Sequence, residues 1–203
     1  MSRQEDMLQR ARELLTPIFL ERARLFQKDC KEYIETKKEY QKIVSDLIST
    51  ARERQAAGKL GQIHYFSVFY LQSSSVIESY DFAISLTNER YYLDENSLLF
   101  FWCPQRFFQT VVEDLRYVEA DVRKTWIRVR PHELEEIRRA YVNNLYQLTG
   151  FFFGEESLSA AVDGGIGHLN CGAEVKFIFG GYMDRGVQFT SFRKEKEHEI
   201  LLA

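Results

Sequence analysis

Between Asp163 and Glu174 the chain reads Asp-Gly-Gly-Ile-Gly-His-Leu-Asn-Cys-Gly-Ala-Glu, which gathers two carboxylates, an imidazole and a thiol in one glycine-rich stretch. Loops held on a rigid scaffold are where catalytic and binding groups concentrate. As a metal site, His168 and Cys171 would supply two ligands, with Asp163 or Glu174 as a third. As a covalent catalyst, Cys171 would attack and His168, three residues away, would take its proton. Neither set is complete in the sequence. No second ligand pair stands elsewhere in the chain, and closeness in sequence is not geometry. A bland alternative stands beside them: the glycines shape a connection, and Cys171 is a small buried apolar side chain. The metal and any cofactor stay undetermined. A phosphate cradle is weakly indicated, because Gly164, Gly165 and Gly167 match neither GxGxxG nor GxxxxGK[ST].

A second stretch, Arg123-Lys-Thr-Trp126-Ile-Arg128-Val-Arg130, embeds a tryptophan in basic residues. In a strand, Arg128 and Arg130 would share a face with Trp126, a platform for stacking a base and holding phosphate. The competing reading is a cationic patch paired with Glu133, Glu135 and Glu136. The carboxylate pairs Asp94-Glu95, Glu113-Asp114 and Glu155-Glu156 read as solvated, since neighbours in sequence rarely face one bond. Aromatics are in excess, with 16 Phe, 11 Tyr and 2 Trp. They crowd residues 63–93, where they could build a core, line an apolar ligand pocket or form an oligomer interface; core plus interface is the favoured reading.

Charge narrows the classes. Residues 1–60 carry 13 basic and 10 acidic side chains, a net of +3, and the remainder 14 and 20, a net of −6. That argues against phosphate neutralisation as the main activity and makes a nucleic-acid partner the weaker reading. Three cysteines, 30, 103 and 171, form no CxxC pair, and an odd number suits a reducing compartment. The longest apolar run, Leu98–Cys103, is far below the ~20 residues of a membrane span. The expectation is a soluble cytoplasmic protein without a membrane partner.

The elements that must position these groups follow from periodicity. Residues 3–57 show helical spacing, interrupted at Thr16-Pro17, so a short helix to about Leu15 and a long one from Pro17 to about Ala57 are expected. Ile63–Leu71 and Tyr80–Thr87 have strand character, with Ser73–Ser75 as a loop. Residues 98–103 and 125–130 are compatible with either strand or helix. Pro104 and Pro131 open two helices, the second closed by Gly150. Val175–Phe179 and Val187–Phe192 read as strands joined by a Gly- and Asp-bearing turn. The tail, Arg193–Glu199, reads as solvated.

These elements predict an α+β fold in one domain, 1–203, with a long N-terminal helix, an antiparallel sheet from middle and C-terminal strands, and two helices on one face. The helical segment 1–57 would protrude or mediate association. No motif is specific enough to identify a family. The leading functional expectation is a non-catalytic interaction or assembly protein that self-associates into a homo-oligomer or binds a protein partner. The alternatives are a small thiol- or metal-dependent hydrolase using Asp163, His168, Cys171 and Glu174, and nucleic-acid binding through 123–130.

Overall fold

A computed structural model describes residues 2–194. The chain is α+β, with long N-terminal helices and a five-stranded sheet. Its packing divides it into two compact units. The first takes in the chain up to Tyr40, Tyr70–Phe82 and Trp102–Phe153; the second comprises Gln41–Phe69, Ala83–Phe101 and the chain from Gly154.

Helix α1 (Arg3–Ala23) starts with a capping box, in which the Ser2 hydroxyl accepts from the Glu5 N–H and the Glu5 carboxylate accepts from the Ser2 N–H. The break expected at Thr16-Pro17 does not occur; Pro17 sits inside α1. Pro17 is exposed, so the carbonyl four residues back that it leaves unbonded can turn to water, and the Thr16 hydroxyl donates to the Arg12 carbonyl at 2.7 Å. The chain breaks instead after Phe26, where Gln27 is extended. Helix α2 (Lys31–Ala56) then follows. Its 26 residues make it about 39 Å long rather than the ~60 Å that an unbroken helix from Pro17 would reach.

The first unit holds α1, the short α3 (Gln72–Val76) and α4 (Gln105–Phe108), α5 (Val111–Thr125) and the first part of α6 (Pro131–Asp163), with α1 packed on α5 and beside α6. Ser73–Ser75 is helical, not a loop, because the Ser74 and Ser75 hydroxyls satisfy the Leu71 and Gln72 carbonyls at 2.6 and 2.7 Å. Gly150 does not end α6, which runs 33 residues. Its neighbours Phe152 and Phe153 are buried, and that burial outweighs the ~1 kcal/mol a helical glycine costs. The aromatic excess is largely this unit's core. Tyr40 lies 5.4 Å from Trp102 and 5.2 Å from Phe153; Tyr70 stacks on Tyr146 at 4.7 Å and Tyr80 on Phe108 at 5.0 Å.

A buried carboxylate ties three of these helices. Asp114 on α5 accepts from the Arg22 guanidinium of α1 at 3.0 and 3.3 Å and from the Tyr141 hydroxyl of α6 at 2.9 Å. The Thr110 hydroxyl adds a fourth bond at 3.3 Å. Desolvation and the Asp114 contact push the Tyr141 phenol well above its ordinary pKa.

The sheet has the order β3-β2-β1-β4-β5, from β1 (Ile63–Tyr70), β2 (Phe82–Thr87), β3 (Leu98–Trp102), β4 (Cys171–Gly181) and β5 (Gly186–Arg193). Middle and C-terminal strands therefore share one sheet, and residues 98–102 are strand. The sheet is mixed rather than wholly antiparallel. The Ile63 N–H meets the Asn170 carbonyl at 2.9 Å, joining the first residue of β1 to the start of β4 and setting the two side by side in the same direction. β4 and β5 pair antiparallel, Glu174 opposite Arg193, with a bulge at Phe189. In the second unit, Val44, Leu47, Ile48 and Ala51 of α2 are buried at helical spacing, and Phe66 stacks on Phe177 at 4.8 Å. Beyond Arg193 and Lys194 the expected solvated tail lies outside the described residues.

Asp114→Ala leaves Arg22 and Tyr141 without their shared acceptor and is expected to cost about 3 kcal/mol or more. Tyr141→Phe removes one hydrogen bond and should cost about 1 kcal/mol. Urea unfolding measures both. Equal, small losses would show that the carboxylate is dispensable.

Candidate functional site

The glycine-rich stretch is built from the end of a helix, a single turn and the start of a strand, all in the second unit. Asp163 is the last residue of α6. Gly164 and Gly165 close the helix with N–H bonds to the Ala160 and Val162 carbonyls, both at 2.9 Å. Gly165 has φ +87°, the left-handed conformation that glycine adopts without strain at a helix C-terminus. A 3-10 turn, Ile166–His168, leads into β4.

The α2 side chain of Gln55 then fixes the chain's direction. Its amide oxygen accepts from the Asn170 N–H at 2.9 Å, and its amide nitrogen donates to the Asn170 and Gly61 carbonyls at 2.9 and 2.8 Å. The Gln62 amide donates to the Cys171 carbonyl at 3.0 Å, while its oxygen lies 3.1 Å from His64 Nε2. The His64 ring in turn occupies the space above Gly172: a Cβ there would sit 2.8 Å from it.

The four sequence-derived candidates have separate surroundings. Asp163 is exposed and accepts from the Ser159 hydroxyl at 3.4 Å. His168 is exposed. Glu174 lies on β4, where hydrogen bonds from Ser191 and then Arg193, the latter at 3.0 Å, hold its carboxyl below the usual range. Cys171 is half-buried, and its thiol donates to the Ile166 carbonyl at 3.6 Å. Burial pushes its pKa up to about 11. No group of three His, Cys, Asp or Glu side chains able to hold a metal forms among the described residues. What the arrangement does is redirect the chain from helix to strand.

The other two thiols are raised as well. Burial pushes Cys103 up to about 12, and a hydrogen bond to Glu32 at 2.8 Å raises Cys30.

The basic stretch adopts neither expected form. α5 ends at Thr125, Trp126 is extended, and Arg128 has φ +58° in a turn. A strand face carrying Trp126, Arg128 and Arg130 together is therefore not formed. Arg3 bonds the Ile127 and Arg128 carbonyls at 3.1 and 3.2 Å, and the Arg130 N–H donates to Glu133 at 2.7 Å. Arg123 pairs with Glu119 at 2.7 Å.

Each carboxylate pair read as solvated has one buried member: Asp94, Asp114 and Glu156. Asp94 accepts from the Asn88 and Asn96 N–H groups at 2.8 and 3.0 Å.

A different place in the same unit gathers polar groups that sequence reasoning did not single out. Ser85 and Thr87 on β2 join Phe69, Tyr91, Tyr92 and Tyr182 around a cavity of about 50 Å³. The only sequence signal for it was the aromatic crowding of residues 63–93. No helix among the described residues is long and apolar enough to cross a membrane. Comparison of the chain with protein-family models, with curated proteins and with solved structures finds no match.

A thiol with a pKa of about 11 is ionised in roughly one molecule in three thousand at pH 7.5. Alkylation of Cys171 by iodoacetamide, followed by peptide mass spectrometry, is therefore expected to be slow from pH 7 to 9 and to climb steeply toward pH 11. A rate that levels off below pH 8 would reveal a stabilised thiolate and restore the nucleophile reading.

Proposed function

We propose that this protein is a non-catalytic assembly protein that self-associates through the edge of its sheet at β3. The observation carrying the proposal is the character of that edge. β3 bonds to β2 on one side only, and its sequence, Leu-Leu-Phe-Phe-Trp, holds no charge and no proline. Leu99 is 37 % exposed and Phe101 61 %. Edge strands of monomeric proteins are commonly blunted by charge, proline or a covering segment, because a free row of N–H and C=O groups invites pairing. A second copy related by a two-fold axis would satisfy that row with the same row, antiparallel, and would cover both phenylalanines at once. The raised pKa values of all three thiols support a non-catalytic role. The odd number of cysteines, with no CxxC pair among them, supports a reducing, cytoplasmic setting.

Native mass spectrometry under reducing conditions is expected to give a multiple of the 24.0 kDa chain. Phe101→Lys, which installs the charge that natural edges use, should return it to monomer with unchanged far-ultraviolet dichroism. A wild-type monomer at tens of micromolar, or a multimer indifferent to Phe101→Lys, refutes assembly through β3.

A further inference from the structure

If assembly runs through β3, as proposed above, the residues at its two ends also decide the register in which two copies meet. β3 is five residues long, and its side chains alternate between the faces of the sheet. Leu98 and Trp102 are buried on one face; Leu99 and Phe101, on the other, are exposed. A two-fold axis makes one residue of an antiparallel pair its own opposite. Residues equally far from that centre on either side then pair, and side chains that share a face in one copy share it in both. The centres available are Leu99, Phe100 and Phe101.

The flanks of the strand oppose the outer two. A centre at Leu99 sets Phe101 against Ser97 and Trp102 against Asn96. Those donors are already engaged: the Asn96 N–H bonds the Asp94 carboxylate at 3.0 Å, and the Ser97 N–H bonds the Asp94 carbonyl at 3.3 Å. A centre at Phe101 sets Leu98 against Pro104, which has no N–H to give. It also sets Leu99 against Cys103, whose carbonyl accepts from the Gln105 N–H at 2.9 Å.

A centre at Phe100 calls on none of these groups. It pairs Leu98 with Trp102 and Leu99 with Phe101, so all five residues of each strand are matched. Each leucine then lies against an aromatic ring, which supplies most of the apolar area covered. We infer that two copies of this chain pair β3 to β3 about a two-fold axis at Phe100, with Leu99 of each opposite Phe101 of the other.

Disulfide cross-linking reads the register directly. Opposite residues have Cα atoms about 4.5–5.5 Å apart and diagonal ones about 7–8 Å, beyond the ~7 Å that a disulfide bridges. All variants carry Cys103→Ser, are oxidised with diamide and are run on a non-reducing gel. Phe100→Cys is expected to cross-link to a second copy of itself. Leu99→Cys and Phe101→Cys should not cross-link alone; mixed, they should, in up to about half of the chains, the share that mixed dimers take. The two routes keep the test decisive if one substitution dissociates the assembly. A cross-link in Leu99→Cys alone, or in Phe101→Cys alone, overturns the register while pairing through β3 stands. A wild-type multimer with no cross-link in any tube overturns the register and β3 pairing together. A wild-type monomer in native mass spectrometry refutes assembly itself.

Discussion

The first unit turns on one carboxylate. Asp114 is almost wholly withdrawn from water, and a buried charge is tolerated only when its partners replace the solvent it lost. Arg22 supplies the opposite charge from α1, Tyr141 a neutral donor from α6, and Thr110 a further donor just ahead of α5. Each partner comes from a different stretch of chain, so the geometry is met only when the three helices share one rotation and one height. Packing of Tyr, Phe and Trp rings supplies bulk stability but tolerates small slides. A bidentate bond from Arg22 does not. The carboxylate thus acts as the register mark for a core that is otherwise adaptable.

In the second unit, polarity is handled differently. Gln55 is a side chain doing the work of a strand neighbour: it bonds both sides of the Asn170 peptide region just where β4 begins. Asp94 serves a similar end by holding two N–H groups of the segment between β2 and β3. Both pair backbone groups through a side chain where a strand begins or a loop turns.

Much of the fold was legible because period and composition change where the structure changes. The alternation in Tyr80–Thr87, the helical spacing after Pro104 and Pro131, and the turn before Gly186 all mark real elements. Where local signals misled, packing had outweighed them. Pro17 and Gly150 are helix breakers by intrinsic preference, yet one faces water and the other adjoins buried Phe152 and Phe153. The candidate site was less legible for a geometric reason. Asp163, His168, Cys171 and Glu174 are neighbours along the chain, but a helix end, a turn and a strand send them to different surroundings. The groups around the cavity, by contrast, come from positions 69, 85, 87, 91, 92 and 182. No spacing rule connects residues so far apart, and hydroxyl side chains carry little signal of their own.

The His64 ring stands where a side chain at 172 would begin. The ring is the end of a side chain and can turn, so the two positions are coupled through its rotamer rather than locked. A residue larger than glycine at 172 would swing the ring away from the Gln62 amide oxygen and loosen the polar contacts at the start of the parallel β1–β4 ladder. The bare backbone at 172 thus sets the orientation of a side chain on the neighbouring strand.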